Sequence, residues 1–212
     1  MYFAIEGVIG VGKTTLARML QPAFQANLLL EVFEENPFLS SFYADRARYA
    51  FQTQIFFLLS RYHQQNRNVP AMISDGQHLI SDYTFEKDSL FASINLQGDE
   101  LEMYYRVHEA LAEKIPSPNL IVYLRASTET LMQRIAMRDR PYERQMDPEY
   151  IDMLNRAYDK AFLGEDRRVP VLVLDANQID FVRRPEDLAY VENRIRQALL
   201  LAPFQPELPI GH

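Results

Sequence analysis

The sequence predicts a three-layer α/β domain, a five-stranded parallel sheet with helices on both faces. Three observations support this. Short apolar runs alternate with helical patterns along the chain, the order that βαβ units produce. The runs are mostly apolar rather than alternating, as strands covered on both faces must be. The first run, Tyr2–Ile5, leads into Gly7-Val8-Ile9-Gly10-Val11-Gly12-Lys13-Thr14 and then a helical pattern in Leu16, Ala17, Met19 and Leu20. That is a strand, a glycine loop and a helix in the order a phosphate loop requires.

Taken in order, strands are predicted at Tyr2–Ile5, Leu28–Val32, His78–Ser81, Leu120–Leu124 and Val171–Leu174. Helices are predicted at Lys13–Leu20, Asp45–Asn66, Glu100–Lys114, Thr128–Met137, Pro148–Phe162 and Pro185–Leu201. No repeat or low-complexity block interrupts them, so residues 1–201 read as one domain. The segment 202–212 carries proline at every third position from Pro203 to Pro209, which excludes a helix.

The glycine loop matches G-x-x-x-x-G-K-[ST] at every fixed position. Glycines let the backbone curl until successive N–H groups face one anion, and the following helix adds the positive end of its dipole. Gly7, Gly10, Val11, Gly12, Lys13, Thr14 and Thr15 are therefore the expected triphosphate cradle. Lys13 would reach the outer phosphates, and the Thr14 hydroxyl would ligate Mg²⁺. The expected ligand is a nucleoside triphosphate with Mg²⁺, and the loop alone leaves GTPases, motor-type ATPases, nucleotide kinases and nucleoside kinases open.

Composition narrows the partners. A net charge of −7 over 212 residues argues against a broad nucleic-acid footprint. No apolar run approaches the ~20 residues that span a bilayer. The absence of cysteine excludes disulfides and thiolate metal sites. Tyr2-Phe3-Ala4-Ile5 begins a strand with no basic segment before it, so no cleavable signal is expected and the cytoplasm is the default location. Phe51, Ile55, Phe56, Leu58 and Leu59, with Leu101, Tyr104, Tyr105, Val107, His108 and Leu111, make the helices near 45–66 and 100–114 apolar beyond one face. That pattern predicts a homodimer through them, although burial against the sheet accounts for part of each stripe.

The acceptor is read from Leu28-Leu29-Leu30-Glu31-Val32-Phe33-Glu34-Glu35-Asn36-Pro37. Glu31 ends an apolar run at the ligand side of the sheet. A carboxylate there suits proton removal from a hydroxyl and would repel an acceptor that is already a phosphate dianion. Glu34 and Glu35 read as the acidic start of a helix near Asn36-Pro37.

Glu31 to Leu39, followed by Phe42-Tyr43 and by Phe51-Gln52-Thr53-Gln54-Ile55-Phe56-Phe57-Leu58-Leu59-Ser60-Arg61-Tyr62, closely resembles the bacterial deoxyadenosine/deoxyguanosine kinases of the deoxynucleoside kinase family. The resemblance runs from the phosphate loop to about Leu200. It implies the P-loop kinase fold, a small-molecule deoxynucleoside substrate, and ATP with Mg²⁺ as the cofactors. It also implies that Glu31 is the general base for the sugar 5′-hydroxyl, that Tyr43 contacts the 3′-hydroxyl and that Gln54 pairs with the base edge. Arg61 and Asp88 match an arginine–carboxylate pair deep in the base pocket, and Phe91 matches a stacking aromatic. Read without the resemblance, Gln54 is an ordinary polar residue, Arg61 a surface charge and Phe91 core packing. Asp82, after the third strand, fits the second Mg²⁺ anchor. Most family members place arginine next, in contact with the acceptor oxygen and the base; here the residue is Tyr83. Ser-Asp-Tyr leans towards the deoxyguanosine-preferring branch.

Arg134, Arg138 and Arg140 form the main basic feature of an acidic chain. Arg134 and Arg138 share a helical face, where like charges call for a counter-ion such as a triphosphate, although cations also suit a helix C-terminus. They resemble the family's arginine lid, placed here at about 134–146, with Glu143 matching a glutamate that binds the 3′-hydroxyl. Asn177-Gln178-Ile179-Asp180 imitates a GTPase guanine reader, but no glycine has an aspartate three residues before it, which removes the switch a GTPase needs. In the kinase family this loop lies against the donor adenine, so Asp180 and Phe181 are assigned to the donor site. Two rivals are a thymidylate kinase-type nucleoside monophosphate kinase and a non-catalytic nucleotide-dependent interaction module.

Overall fold

Residues 1–74, 76–164 and 167–202 are described by a computed structural model, and the proline-containing tail falls outside them beyond Ala202. In chain order the elements are β1 (Tyr2–Glu6), α1 (Lys13–Phe24), β2 (Ala26–Leu29), α2 (Leu39–Ala44), α3 (Arg46–Ser74), β3 (His78–Ser81), α4 (Glu86–Asn95), α5 (Gly98–Ala112), β4 (Leu120–Arg125), α6 (Thr128–Arg138), α7 (Pro148–Phe162), β5 (Val171–Asp175) and α8 (Pro185–Ala198). Short 3₁₀ turns cover Phe33–Glu35 and Pro141–Glu143.

The sheet has the order β2-β3-β1-β4-β5 with every pairing parallel, as predicted. All five residues of β1 are buried, and its side chains part between two faces. Phe3 meets Phe24 of α1 edge to face at 5.2 Å, while Tyr2 and Ala4 join Val69 of α3 in a cluster with Leu29, Leu79 and Tyr83. Because the chain passes from β1 out to β2 and β3 and then across to β4, the order reverses at β1. Ligands bind at that reversal, beyond the strands' C-terminal ends.

Several boundaries differ from the sequence reading. The second strand covers Ala26–Leu29, not Leu28–Val32. Its register with β3 ends at Leu29↔Ser81, and the Glu31 N–H then bonds the Asp82 carboxylate at 2.8 Å instead of a strand partner. The first helix continues past Leu20 through Pro22 to Phe24, closed by Gln25 in the left-handed region. The long helix starts at Arg46 and passes Asn66 and Pro70 to reach Ser74, because Val69 is wholly buried against the sheet. The helix expected at 100–114 lies at 98–112, that at 128–137 extends to Arg138, and the last ends at Ala198. Glu34 and Glu35 form a 3₁₀ turn of their own, and the helix expected near Asn36-Pro37 starts at Leu39.

Helix α2 begins at Leu39, just past the helix start expected near Asn36-Pro37, whereas α4 was not anticipated. Helix α4 escapes notice because its fully buried positions are Lys87, Asp88 and Ala92, while Leu90, Phe91 and Ile94 pack against the core only in part, so its apolar and buried positions do not coincide. The apolar residues of α3 and α5 are divided: Leu58 and Tyr104 are core, whereas Leu59 is 41% exposed. No helix among the described residues is long and apolar enough to cross a membrane.

His108 of α5 stacks on Phe85 at 4.8 Å and on Tyr104 at 6.1 Å. Burial pushes its imidazole below the ordinary 6.5, partly opposed by contact with the Phe85 carbonyl. A histidine depressed in the folded state costs stability as pH falls through its unfolded value, since the unfolded chain binds the proton first. Between about pH 7 and about pH 5.5 the urea midpoint is expected to fall more steeply for the natural chain than for His108→Phe.

Candidate active site

The phosphate loop follows from the end of β1. Gly7 has φ +150° and packs so closely under β4 that an added Cβ would lie 2.5 Å from the Leu124 carbonyl oxygen. Gly12, at φ +104°, caps α1 with the Phe181 ring 3.1 Å from where its Cβ would be. The first turn of α1 contains no acidic residue, which leaves the positive end of its dipole uncompensated from within. Lys13 Nζ donates to the carbonyls of Gly7 at 2.7 Å and Val8 at 3.2 Å. Burial, followed by the nearby Lys87 cation, pushes the Lys13 ammonium down to about 8.

Glu6 was not singled out from the sequence, yet it is fully buried and closes the loop from below. Its carboxylate accepts from the Thr84 N–H at 2.5 Å and hydroxyl at 2.8 Å, and from the Gly7 N–H and Tyr158 hydroxyl at 3.3 Å. Burial raises its pKa, with Lys87 and Lys13 opposing. The available signal was a charge ending an otherwise apolar strand directly before a glycine.

Asp82, just after β3, joins the two sides of the site. One carboxylate oxygen accepts from the Thr14 hydroxyl and the other from the Glu31 N–H. The Glu31 side chain is gripped from both flanks. Arg61 donates from Nε at 3.0 Å and from a second nitrogen, and Lys87 Nζ donates at 2.5 Å. Burial alone would raise the Glu31 pKa, but the Lys87 and Arg61 charges prevail and hold the carboxyl well below the usual range. Arg61 continues to Asp88, which is entirely buried, and its guanidinium lies 4.5 Å from the Phe57 ring centroid.

A cavity of about 460 Å³ runs from the phosphate loop to the inner end of α3. Gly10, Gly12, Lys13, Thr14, Thr15 and Asp82 line one part; Glu31, Tyr43, Gln54, Arg61 and Phe91 line the other. Arg138 reaches it from the last turn of α6, and Arg140 and Glu143 from the segment that follows. Arg138 forms a fork onto Glu143, with Nε at 3.1 Å from one carboxylate oxygen and the second nitrogen at 2.8 Å from the other. Arg140 lies 3.6 Å from Glu143 and stacks over Phe33 at 4.2 Å, and Tyr142 stacks on Tyr43 at 5.9 Å. Gln54 is buried with its amide oxygen unpartnered, so it retains hydrogen-bonding capacity towards the cavity.

Gly7, Val11, Asp88, Arg134, Asp180 and Phe181 are not in the cavity wall. Arg134 instead donates to the carbonyls of Val11 at 3.1 Å and Ala176 at 2.8 Å, tying the phosphate loop to the loop after β5. Asp180 accepts from the Val182 and Arg183 N–H groups of its own loop. Phe181 is buried over Gly12. Tyr83 points away from the cavity; its hydroxyl donates to Gln64 at 2.5 Å, and Gln64 donates to the Leu30 carbonyl at 2.8 Å. Lys87, which does line the cavity, was missed with the helix that carries it.

The strand order and the loop after the central strand define a P-loop protein. The chain belongs to the deoxynucleoside kinase family, whose pattern it matches over residues 3–200. It is 35% identical over 202 residues to a deoxyguanosine kinase of Bacillus subtilis, covering 94% of this chain and 98% of that one. It is 33% identical over 193 residues to a deoxyadenosine kinase of Dictyostelium discoideum, covering 89% and 76% respectively. A solved deoxyadenosine kinase from M. mycoides, with dCMP and dCDP bound, superposes with a TM-score of 0.80 at 25% identity over 93% of this chain and 99% of that one.

Gly7→Ala is expected to cost about 2–4 kcal/mol, from backbone strain and overpacking against Leu124, read as a lower urea midpoint.

Proposed function

We propose that this chain transfers the γ-phosphate of ATP to the 5′-hydroxyl of a deoxyribonucleoside, with a purine as the preferred base. The observation that carries the reading is Glu31: a half-buried, ionised carboxylate facing the cavity, its backbone joined through Asp82 to Thr14 of the phosphate loop. Arg61 and Lys87, the cations on this side, both pair with Glu31, which favours a neutral hydroxyl over a second phosphate. The amide of Gln54 suits a base edge, and the similarity to deoxyguanosine and deoxyadenosine kinases supports a purine.

In the transfer, the O5′–Pγ bond forms as the bond from Pγ to the leaving ADP oxygen breaks, and the hydroxyl proton passes to Glu31. A carboxylate held this acidic is a weak base. It orients the hydroxyl first and takes its proton late, which the loose transition state of phosphoryl transfer allows. Lys13, Arg138 and Arg140 are assigned to the donor phosphates, with Arg134 bracing the phosphate loop and Asp180 and Phe181 behind them on the donor side. For Arg138 that role requires exchanging Glu143 for phosphate, an opening and closing of the segment 134–146 that would exclude water. Tyr43 and Glu143 are assigned to the 3′-hydroxyl, and Arg61 with Asp88 and Phe91 to the base.

The Thr14 hydroxyl and Asp82 carboxylate are hard oxygens in mutual contact at the edge of the phosphate loop, a donor set that fits Mg²⁺. Bound there, Mg²⁺ would neutralise charge on the phosphates. A homodimer through the outward sides of α3 and α5 is supported by the exposed Leu59 and Met103, and the cytoplasm, with its ATP, is the proposed place of action.

With ATP and Mg²⁺, a panel of deoxynucleosides and their monophosphates is expected to give product from deoxyguanosine or deoxyadenosine and none from monophosphates. Glu31→Gln should retain ATP binding while turnover drops by ~10²–10⁴; unchanged turnover would remove Glu31 from the mechanism.

A further inference from the structure

The residue after Asp82 is Tyr83, and its side chain is packed away from the cavity with its hydroxyl on Gln64. The first turn of α4 brings a different charge to the acceptor side. Lys87 lines the cavity, its side chain is 6% exposed, and its ammonium lies 2.5 Å from Glu31 Oε2. Phe91, one turn along α4, flanks it at 5.7 Å from ring centroid to nitrogen.

This is a costly place for a lysine that only supports the fold. A cation in the first turn of a helix opposes the helix dipole, and a buried ammonium loses its hydration. Arg61 pairs with Glu31 through Oε1 and Lys87 pairs with it through Oε2, so the two cations together balance Glu31 and Asp88. Arg61 is also shared with Asp88, away from the phosphates, whereas Glu31 takes only one of the three N–H donors of Lys87.

We propose that Lys87 is the acceptor-side cation of this active site, holding Glu31 against the 5′-hydroxyl and donating to that oxygen as it bonds to the γ-phosphorus. This rests on the kinase reading above. Lys87 begins and ends the step as an ammonium; the hydroxyl proton goes to Glu31, and the electron pair of the broken bond leaves with ADP.

The test compares kcat and KM of the natural chain, Lys87→Met, Lys87→Arg and Lys87→Ala on deoxyguanosine and deoxyadenosine, with ATP binding measured separately. Lys87→Met should lose ~10²-fold in kcat with ATP binding within about threefold of the natural chain, and Lys87→Arg should lose less. Lys87→Ala should regain about tenfold in rate with methylamine, saturably, while the natural chain does not respond. Lys87→Met turnover within about threefold of the natural chain would overturn the proposal. So would equal losses in all three variants with no response to methylamine, the result a purely structural lysine would give. If Met or Ala at this position abolishes ATP binding, Lys87→Gln, which keeps a donor to Glu31, takes their place. Loss of kcat in it supports the proposal and retained kcat overturns it. A natural chain that yields no deoxynucleoside monophosphate would overturn the kinase reading itself. A working natural chain beside an equally active Lys87→Met overturns only the role of Lys87.

Discussion

The site depends first on the carboxylate of Asp82. One oxygen takes the Thr14 hydroxyl at the start of α1, and the other takes the Glu31 N–H just past β2. Thr14 and Glu31 lie on segments that leave the sheet at different strands, β1 and β2, with β3 between them in the sheet order. A residue at the end of the intervening strand is the shortest bridge available. Glu6 repeats the device one layer deeper, bonding Gly7 of the phosphate loop to Thr84 beyond β3. Both carboxylates convert strand order into a fixed spacing between donor and acceptor machinery.

The fixing is electrostatic in a protein that is acidic overall. Glu6, Glu31, Asp82 and Asp88 cluster with Lys13, Arg61 and Lys87, five of the seven buried and Lys13 and Glu31 partly so. Replacing buried ion pairs with apolar side chains is often neutral or stabilising, so the cluster is not explained by fold stability. It does explain orientation. Glu31 is held at both oxygens and through its backbone, which leaves it little rotational freedom and keeps it ionised. Pre-ordering of this kind removes reorganisation from the chemical step.

The legible parts of the sequence were those where one physical demand dominates. The phosphate loop is dictated by backbone conformation, and Gly7 and Gly12 show the demand directly. The β1 strand is dictated by burial on both faces. Where two demands compete, the sequence misleads. Leu28–Val32 is apolar enough for a strand, yet Asp82 captures the Glu31 amide and ends the pairing early. Helix α4 was invisible because its inner face is divided between the site and the core, and Lys87 was lost with it. Arg134 shares a face with Arg138 as its spacing requires, but its guanidinium binds two carbonyls, a distinction no spacing encodes.

Tyr83 carries a further consequence. Its ring is sealed in a cluster with Tyr2, Ala4, Leu29, Val69 and Leu79, and its hydroxyl is committed to the Gln64 relay that ends on Leu30. An arginine at position 83 would carry its charge into that apolar packing, or would have to turn into a cavity where Lys87 already pairs with Glu31. With Lys87 in its proposed role, positions 83 and 87 form a coupled pair. A lineage with this arrangement can exchange one acceptor-side cation for the other only by changing both residues, and either single step passes through a site with too much charge or too little.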